Sequence, residues 1–452
     1  MPIKNKFISR DSIRHLIIAL MIISIFSIGL ILRVVMTSET VVSAPIRADA
    51  KDYYLYACNL TKYGVYSRQS PGQFKGPKPA ADAHRTPGYP LFLLPFVKFP
   101  PTLKMVNSIL VTQAIISALT ILAAIGCFRS FLTWTGTFCA ALLVAISPHL
   151  VAFNIYVLTE SLFTFFLVLF AWAMTTVAQS KGGRHALLSG LLLGIALLIR
   201  PTMLYFVAFL IPVFFIFFQK KKALIITLFL LIGFGATYGP WVVRNKLVKP
   251  NRSTLAIATI HKGMYPNLTY NNDSKTYGVP NRLDPTWGQR RDMPSVLGEI
   301  LRRFKTEPLR YIRWYILGKP TMFFSWDMIV GMGDVFIYPV VTSPYHHPKG
   351  IFSLTHRMMK SLHGTFTVLA LMTSLFLWFP LAKRMLTEKG LIVARFISLL
   401  LLYFILVHLV GTPLPRYSVP LRPFIYGLAM LGIHLAVKEG PQYIQKIKPD
   451  KG

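Results

Sequence analysis

The chain has 452 residues and a mean hydropathy of +0.52, with 54% hydrophobic and 14% charged residues. These values exclude an ordinary soluble domain and predict a protein that folds within a membrane. The formal net charge of +33 favours anionic ligands and lipid headgroups as partners, and without a soluble basic domain it argues against nucleic acid. The three cysteines have neither CxxC nor His/Cys spacing and predict no disulfide framework and no zinc site: Cys58, Cys127 and Cys139.

Apolar stretches of about 20 residues, the length that crosses a bilayer, recur along the whole chain. They predict an all-α polytopic membrane protein with about ten transmembrane helices. The first stretch follows a basic start, but it is too long for a cleaved signal peptide, so we expect a retained anchor. The predicted spans are residues 15–35, 104–127, 131–148, 157–178, 185–200, 202–218, 223–243, 363–381, 391–411 and 418–437.

Basic residues in short loops mark the cytoplasmic side of a membrane, and here they occupy every second connection. We therefore expect both termini in the cytoplasm and two large outer loops, residues 37–103 and 244–362. The chain then divides into an N-terminal transmembrane module, residues 1–243, the outer region 244–362, and C-terminal helices with a cytoplasmic tail, residues 363–452. The basic positions include Arg129, Lys181, Arg184, Lys220, Lys383 and Arg384.

The first outer loop begins with a predicted amphipathic helix. Asp49, Tyr53 and Tyr56 fall on one helical stripe, which Leu60 continues. We expect the aromatic face to lie at the membrane interface and Asp49 to occupy the helix N-terminus, where a carboxylate is stabilised. A simple N-cap of an interfacial helix is the alternative role for Asp49.

The same loop continues with His84-Arg85-Thr86-Pro87-Gly88-Tyr89-Pro90. The apolar run that follows, residues 91–97, is too short to cross a bilayer, so we expect it at the outer interface. Arg85 would then point at a headgroup or a phosphate. Snorkelling of Arg85 at the membrane surface is the alternative.

Glu160 is the only acid between Ala83 and Asn272, a stretch with about six predicted spans. An ionisable group at a span end costs about a few kcal/mol if it has no partner, so we expect Glu160 to belong to a site. A solvated carboxylate at a helix start is the alternative.

Three arginines lie beside predicted span ends on the outer side: Arg200, Arg244 and Arg416. A guanidinium group matches phosphate oxygens in forked geometry and keeps its charge. Their convergence would suit a phosphodiester or diphosphate group. Each of them alone is also typical of an interface anchor.

In these motifs the chain resembles the GT-C membrane glycosyltransferases, in the branch related to protein mannosyltransferases and to the aminoarabinose transferases that act on lipid A. The resemblance covers most of the chain. It is carried by Asp-Ala-x-x-Tyr-x-x-x-Ala at 49–57, Arg-x-Pro-Gly-Tyr-Pro at 85–90, Thr-Glu-Ser-Leu at 159–162, Trp-x-x-Arg-Asn at 241–245 and Arg-Tyr-x-x-Pro at 416–420.

The resemblance implies a GT-C-type helical bundle with amphipathic helices on the outer face and a partly folded external loop that caps the site. It also implies a donor sugar on dolichyl or undecaprenyl phosphate and places Asp49 at the position of the family's catalytic carboxylate. Protein mannosyltransferases carry adjacent Asp-Glu there, whereas Asp49 precedes Ala50. A lipid or polysaccharide acceptor is therefore at least as favoured as a protein.

The chemistry of transfer assigns an expected role to each candidate. Asp49 would act as the base in an inverting displacement, and Glu160 would position the acceptor, hold a cation or orient Asp49. Arg85 is the first candidate for stabilising the leaving phosphate. A divalent cation, magnesium or manganese, is an open alternative as cofactor. The further donor-phosphate or substrate-binding candidates are Tyr53, His84, Tyr89, Arg200, Arg244 and Arg416, and the fallback bases are Asp52 and Asp82.

The second outer loop mixes polar, aromatic and basic residues and is expected to be partly folded. Residues 311–326 are aromatic but broken by charges and a proline, so we expect them at the interface. The pair His346-His347 is typical of a surface feature, and basic pairs occur at 290–291 and 302–303.

Two other functions remain as alternatives. An outer-face polysaccharide ligase or polymerase would also combine spans, arginines and a long loop. A transporter would place charges near the membrane midplane in repeated halves, and no such repeat is found in the sequence. A bacterial plasma membrane, with the active site on its extracytoplasmic face, is the expected location.

Overall fold

The computed structural model describes residues 10–179, 183–248, 255–266, 292–329, 334–346 and 349–447, with side chains up to residue 437 in the last helix. These residues are mostly helical with almost no strands, which confirms the predicted all-α class. The helices are α1 Arg10–Glu39, α2 Asp49–Tyr63, α3 Gly88–Leu93, α4 Leu103–Phe128, α5 Trp134–Ile146, α6 Pro148–Ala152, α7 Glu160–Gln179, α8 Gly183–Ile199, α9 Phe206–Phe217, α10 Lys220–Val248, α11 Leu255–Gly263, α12 Met293–Thr306, α13 Pro308–Arg313, α14 Lys319–Phe323, α15 Gly350–Phe376, α16 Ala382–Met385, α17 Glu388–Val410 and α18 Arg422–Ile447.

Within the described ranges, six helices are long and apolar enough to cross a membrane, and the bent pair 134–146 with 148–155 would make a seventh. The predicted number of about ten is therefore not confirmed. Two of the predicted spans are the short helices α8 and α9. With 17 residues, α8 is about 26 Å long, which is less than the roughly 30 Å of the hydrocarbon core. The predicted span 363–381 lies in α15, which begins earlier, at Gly350, and is not among the six.

A buried arginine holds the bend between α5 and α6. The helix breaks by 45° before Pro148, whose ring removes a backbone donor. Arg33, fully buried on α1, donates hydrogen bonds to the carbonyls of Val144 at 3.1 Å and Ala145 at 2.8 Å. The guanidinium group thereby satisfies carbonyls near the end of the helix that would otherwise lie unpaired in an apolar interior.

The helix α2 begins at Asp49, where the sequence predicts it, but it does not lie on the surface. Tyr53 and Tyr56 are buried, and their rings pack on Tyr89 at 5.0 Å and on Tyr66 at 4.1 Å. The expected interfacial helix is therefore an inner element of the protein, because its aromatic face meets the rest of the same loop instead of lipid.

The short helix α3 follows in the same loop and packs against the end of α8. A Cβ atom on Gly88 would lie 2.7 Å from the backbone of Leu198 and Ile199, so only glycine permits this approach. Tyr89, the next residue, is fully buried, and its hydroxyl donates to Gln113 on α4 at 2.5 Å. The Pro-Gly-Tyr motif thus attaches the first outer loop to two helices of the bundle.

A small antiparallel sheet joins the two outer regions. Strand β1, Val41–Val42, pairs with strand β2, Val340–Thr342, with Val41 opposite Thr342 and Val42 opposite Val340. This pairing places the segment that contains Tyr338 over the end of α1. Residues nearly 300 positions apart in sequence are thereby brought to one place.

The described part of the second outer region is helical, from α11 to α14, with a π-helical turn at Trp314–Gly318. Arg302 and Arg303 both bind Glu299, at 2.7 and 2.6 Å. The ring of His346 lies 5.0 Å from that of Phe336. The predicted basic pair 290–291 and residue 347 lie outside the described residues, and α10 continues past the predicted boundary at 243 to Val248.

Candidate functional site

Asp49, the first residue of α2, is held between two arginines. Its Oδ1 accepts a hydrogen bond from Arg85 Nη2 at 2.8 Å, and its Oδ2 accepts one from Arg416 Nη2. Burial alone would raise the pKa of this carboxyl, but Arg416 and Arg85 outweigh that effect and hold the pKa well below its ordinary value. Asp49 is therefore ionised and has a low basicity in this arrangement.

Arg85 also binds a second carboxylate on the same helix. Its Nε and Nη2 donate to Asp52 Oδ2 at 3.1 and 3.0 Å, and its guanidinium group lies 5.4 Å from the ring of Tyr53. Asp49 and Asp52 are three residues apart on α2 and face the same side. One guanidinium group thus joins both acids of α2.

Glu160, the first residue of α7, lies on the other side of Arg416. It is only 2% exposed, which excludes the solvated carboxylate considered as its alternative. Arg200 Nη1 lies 3.1 Å from Glu160 Oε1, and Arg416 Nε lies 3.8 Å from the same oxygen. Arg200 follows α8 directly, so the ends of several helices meet at this point.

Together these residues form a continuous network in which carboxylates and guanidinium groups alternate. We call it the arginine network; it consists of Asp52, Arg85, Asp49, Arg416, Glu160 and Arg200. Three negative and three positive charges balance within it. Arg416 Nε and Arg200 Nη1 are buried and face Glu160 as ion pairs, without a well-aligned hydrogen bond. The network therefore holds guanidinium donors that are not fully used by the protein's own groups.

Four of the predicted phosphate or substrate candidates, Tyr53, His84, Tyr89 and Arg244, are not members of the arginine network. Arg244 donates to the backbone carbonyl of Asp82 at 3.0 Å and packs on Trp241 at 5.0 Å, so it fastens the first outer loop to α10. Tyr89 lies in α3, and its buried side chain donates a hydrogen bond to Gln113. Tyr53 touches the network through Arg85.

His84 and the fallback base Asp82 lie beside the network and not in it. The carboxylate of Asp82 accepts hydrogen bonds from the backbone N–H groups of Arg68 and His84, both at 3.0 Å, and from the hydroxyl of Tyr56. These bonds hold the loop together. Burial, followed by the charges of Arg68 and Arg85, lowers the pKa of His84, so its ring is neutral at pH 7.

A polar cavity opens beside the arginine network. Its volume is about 610 Å³, and Asp52 is shared between its wall and the network. Apart from Leu55 and Ala80, the lining side chains are polar or charged, so they offer hydrogen-bond donors and acceptors to a ligand. The polar lining includes Lys51, Arg68, Gln69, Gln73 and His84.

Comparison with known proteins was made at the level of sequence and of fold. A family model described as dolichyl-phosphate-mannose-protein mannosyltransferase matches residues 103–239. This range is less than a third of the chain; it includes Glu160 and Arg200 but not Asp49, Arg85 or Arg416. A comparison with curated protein sequences found no match.

Two solved structures of the oligosaccharyltransferase from Archaeoglobus fulgidus are similar in fold. One, tethered to an acceptor peptide with the NVT sequon by a disulfide bond, aligns with 96% of this chain and 51% of its own at a TM-score of 0.53 and 13% identity. Another, in complex with Zn and sulfate, aligns with 95% of this chain and 51% of its own at a TM-score of 0.51 and 14% identity.

The protein has the GT-C fold. This confirms, at the level of the fold, the resemblance that the sequence motifs indicated. The chain spans about half the length of the archaeal structures. At this level of identity the likeness concerns the fold alone.

The GT-C protein has residues at the network that the motifs did not indicate. Tyr338, beside β2, is close to Arg416, Asp49 and Glu160, and Arg47 stacks on its ring at 5.4 Å. Arg68 Nη1 lies 3.9 Å from Asp52 Oδ2. Tyr338 belongs to the second outer loop, and the pairing of β1 with β2 and contacts with Tyr156 bring it here.

The carboxylates of the arginine network are all paired with arginines in this arrangement. Among the described residues, no group of three or more His, Cys, Asp or Glu side chains could hold a metal ion. The oxygens of Asp49, Asp52 and Glu160 face guanidinium groups. A cation there would have to replace arginines that already neutralise the carboxylates.

Proposed function

We propose that the protein is a glycosyltransferase that moves a sugar from a polyprenyl-phosphate donor to a hydroxyl group of an acceptor. The observation that carries this proposal is the convergence of Arg85, Arg200 and Arg416 on Asp49 and Glu160, at the ends of several helices. A site at the membrane boundary can receive a lipid-borne phosphate while its isoprenoid tail stays in the bilayer.

The donor phosphate would compete with the protein's own carboxylates for the arginines. A phosphate oxygen and a carboxylate oxygen accept from a guanidinium group in the same forked geometry. Arg416 has a donor without a well-aligned hydrogen bond, and Arg85 is shared between two acids. Binding of phosphate to these arginines would release Asp49 from part of its pairing, so that its basicity rises when the donor arrives.

Transfer would then take place in one displacement. The acceptor oxygen attacks the anomeric carbon, and the bond from that carbon to the phosphate oxygen breaks. The proton of the acceptor hydroxyl moves to Asp49, and the electron pair of the broken bond leaves with the polyprenyl phosphate. Arg85 and Arg416 stabilise the charge that develops on the phosphate. Attack opposite the leaving group inverts the anomeric centre.

Glu160 would act through Arg416 and Arg200. Since Glu160 is buried and lies 3.1 Å from Arg200, it fixes the two guanidinium groups that face the donor. Such support keeps a charged group in one orientation without a contact to the reacting atoms. We assign Glu160 as a positioning residue.

The polar cavity supports an acceptor with several hydroxyl groups. It shares Asp52 with the network, and Asp52 is bound there by Arg85. A lipid-linked glycan, a polysaccharide or a glycosylated protein would each present the required chemistry. The positive-inside pattern supports a location of this site on the extracytoplasmic face of a bacterial plasma membrane.

The comparisons support the donor class. The matching family is named for dolichyl-phosphate-mannose, a sugar on a polyprenyl phosphate. The archaeal enzyme of similar fold transfers an oligosaccharide, and its structure was obtained with an acceptor peptide. These relatives favour a transferase over a transporter, and a magnesium or manganese ion is not part of the proposed step.

The proposal can be tested with the purified protein in lipid nanodiscs and a panel of polyprenyl-phosphate sugars labelled in the sugar. We expect the native protein to transfer or hydrolyse at least one of them, and the double variant Arg85→Gln/Arg416→Gln to lose this activity. The matched control is Arg302→Gln/Arg303→Gln, which removes two arginines that share Glu299 on α12.

Two results would contradict the proposal. A folded native protein that neither binds nor consumes any such donor would remove the donor class. Equal losses in the network variant and in the α12 control would show that the arginines of the network have no special role.

A further inference from the structure

A second groove lies at the far end of α1, away from the arginine network. It has a volume of about 500 Å³ and runs between the first turns of α1 and the start of α5. Ile17 and Phe138 are among its apolar walls, and Arg10 and Arg14 lie at one end of it. Because α1 has 30 residues, its two ends are about 45 Å apart. The groove is therefore separate from the proposed donor site.

The charge at this groove is of one sign. Arg10 and Arg14 are four residues apart and lie on the same face of α1. A third arginine, Arg129, stacks on Trp134 of the groove wall at 5.0 Å. None of the lining residues is acidic, and Asp11, which lies in the same turn of α1, is not among them.

The position of the groove indicates what can occupy it. Only 17% of the apolar window of α1 is buried inside the protein, so most of this helix faces lipid. Arginines at the start of a span are common anchors that need no groove. Here an apolar channel continues from the arginines toward the middle of the span, as required for an acyl chain below a charged headgroup.

We propose that this groove binds an anionic phospholipid, with its phosphate held by Arg10 and Arg14 and one acyl chain against α1 and α5. This inference does not depend on the proposed transferase function. Basic pockets between membrane helices select anionic headgroups, and each arginine near the surface contributes about 1 kcal/mol. The selectivity over a zwitterionic lipid is therefore on the order of fivefold for each arginine.

Binding at this site can be followed with a fluorescent label on a native cysteine. Cys139 lines the groove and is exposed, whereas the other two cysteines, Cys58 and Cys127, are buried. A thiol-reactive fluorophore will therefore label Cys139 selectively. The labelled protein is placed in nanodiscs that contain phosphatidylcholine and phosphatidylglycerol at a fixed ratio. In one sample the acyl chains of phosphatidylcholine carry bromine, and in the other those of phosphatidylglycerol. Quenching of the fluorophore, divided by the number of brominated lipids, is then compared between the samples.

We expect brominated phosphatidylglycerol to quench at least about fivefold more strongly than brominated phosphatidylcholine. The variant Arg10→Gln/Arg14→Gln should quench equally with both lipids. The control Lys383→Gln/Arg384→Gln should keep the preference. That basic pair on α16 precedes α17, whose Gly390 lies beside Ser130, so it lies near the same end of the bundle without lining the groove.

Equal quenching by the two lipids in the native protein would overturn the proposal, as would a preference that survives in the Arg10→Gln/Arg14→Gln variant. Mass spectrometry of lipids retained by the unlabelled protein gives a second readout that a bulky label cannot disturb. It should find phosphatidylglycerol retained by the native protein and lost from the variant. If equimolar undecaprenyl phosphate displaces the lipid bound in the groove and phosphatidylglycerol does not, the groove binds a polyprenyl lipid. That result would also overturn the proposal.

Discussion

Two sets of buried arginines in this protein differ in the groups that they bind. Arg85, Arg200 and Arg416 meet carboxylates at the end of the helical bundle, in the arginine network. Arg33 meets only neutral oxygens within the bundle, namely the carbonyls of Gly29, Val144 and Ala145 and the hydroxyl of Ser117. Arg422 likewise binds Ser418 and His363 and no carboxylate.

This difference determines which of the arginines can bind a ligand. A carboxylate and a phosphate are interchangeable partners of a guanidinium group, so phosphate can replace Asp49 at Arg416 without leaving the arginine unpaired. A ligand that drew Arg33 away would leave buried carbonyls without a donor, which costs about 1–3 kcal/mol for each. The first set is therefore suited to binding, whereas the second set is suited to holding the fold.

The largest effect should follow from the change Asp49→Asn. It keeps the shape of the side chain but removes the base, so transfer should fall by about 10²–10⁴-fold. Turnover of a labelled polyprenyl-phosphate sugar measures the loss. The control Glu299→Gln removes a carboxylate that also binds two arginines and should change turnover little. Similar losses in both variants would contradict the role of Asp49.

A smaller loss is expected from Arg416→Lys. Lysine keeps the positive charge but cannot reach Asp49 and Glu160 together with one forked group. Loss of one fixed donor to a developing oxyanion costs about 10²–10³-fold in turnover. The thermal midpoint of unfolding should change little. Unchanged turnover would mean that Arg416 is not a donor to the leaving phosphate.

The matched change in the second set is Arg33→Lys, and it should act on stability. A single ammonium group cannot replace hydrogen bonds to α1, α4 and the end of α5, so we expect a loss of about 1–3 kcal/mol in the free energy of unfolding. Turnover of the folded protein should stay near that of the native chain. The measurement is thermal unfolding in nanodiscs beside the turnover assay; a lowered turnover at full stability would erase the distinction between the two sets.

The smallest expected effect is that of pH. The pKa of Asp49 is held below its ordinary value, which is about 4. Its contribution to stability is fully present above that ordinary value and is lost only as the pH falls through the lowered folded-state pKa. Donor binding would remove only part of the pairing with Arg85 and Arg416, so we expect the pKa to rise but to stay low. Turnover between pH 5 and pH 8 should therefore not titrate with Asp49.

A pH profile of turnover tests this expectation, with His84→Gln beside the native chain. His84, with its lowered pKa, is neutral over most of this range. An acid limb with a midpoint above pH 6 that persists in His84→Gln would indicate a base other than Asp49 in this arrangement.

Much of the site could be predicted because the informative residues lie at helix ends. Asp49 begins α2 and Glu160 begins α7, as the rare acids in an apolar sequence indicated. Arg85 and Arg416 were found as cations beside proline-rich breaks. Arginine and carboxylate at such positions are costly in a membrane protein unless they meet, which is why their approach could be expected.

The remainder depends on contacts that no local pattern contains. Tyr338 reaches the network through the pairing of β1 with β2 and through contacts with Tyr156, all between residues far apart in sequence. Arg33 lies within an apolar run that predicts a span, and no pattern in that run indicates its contacts. The burial of α2 depends on packing against Tyr66 and Tyr89, whereas its amphipathic pattern fits a membrane surface equally well.

The predicted number of about ten spans is not confirmed, for a related reason. Hydropathy records apolar composition, and α8 and α9 are apolar, but a break near Pro201 leaves each of them short. Arg244 shows the same limit for charges. Its place beside a span end suggested a phosphate ligand, whereas in the structure it binds backbone carbonyls of the first outer loop.

The affinity of undecaprenyl phosphate for the native protein and two variants tests whether the arginine network is a phosphate site. If the carboxylates of the arginine network occupy a phosphate site, Asp49→Asn frees Arg85 and Arg416, and the lipid phosphate should bind more tightly than to the native protein. Arg416→Gln should bind it more weakly. Weaker binding of the lipid phosphate by Asp49→Asn than by the native protein would contradict this claim. If magnesium also strengthened binding to the native protein alone, the carboxylate would be recruiting the phosphate through a cation.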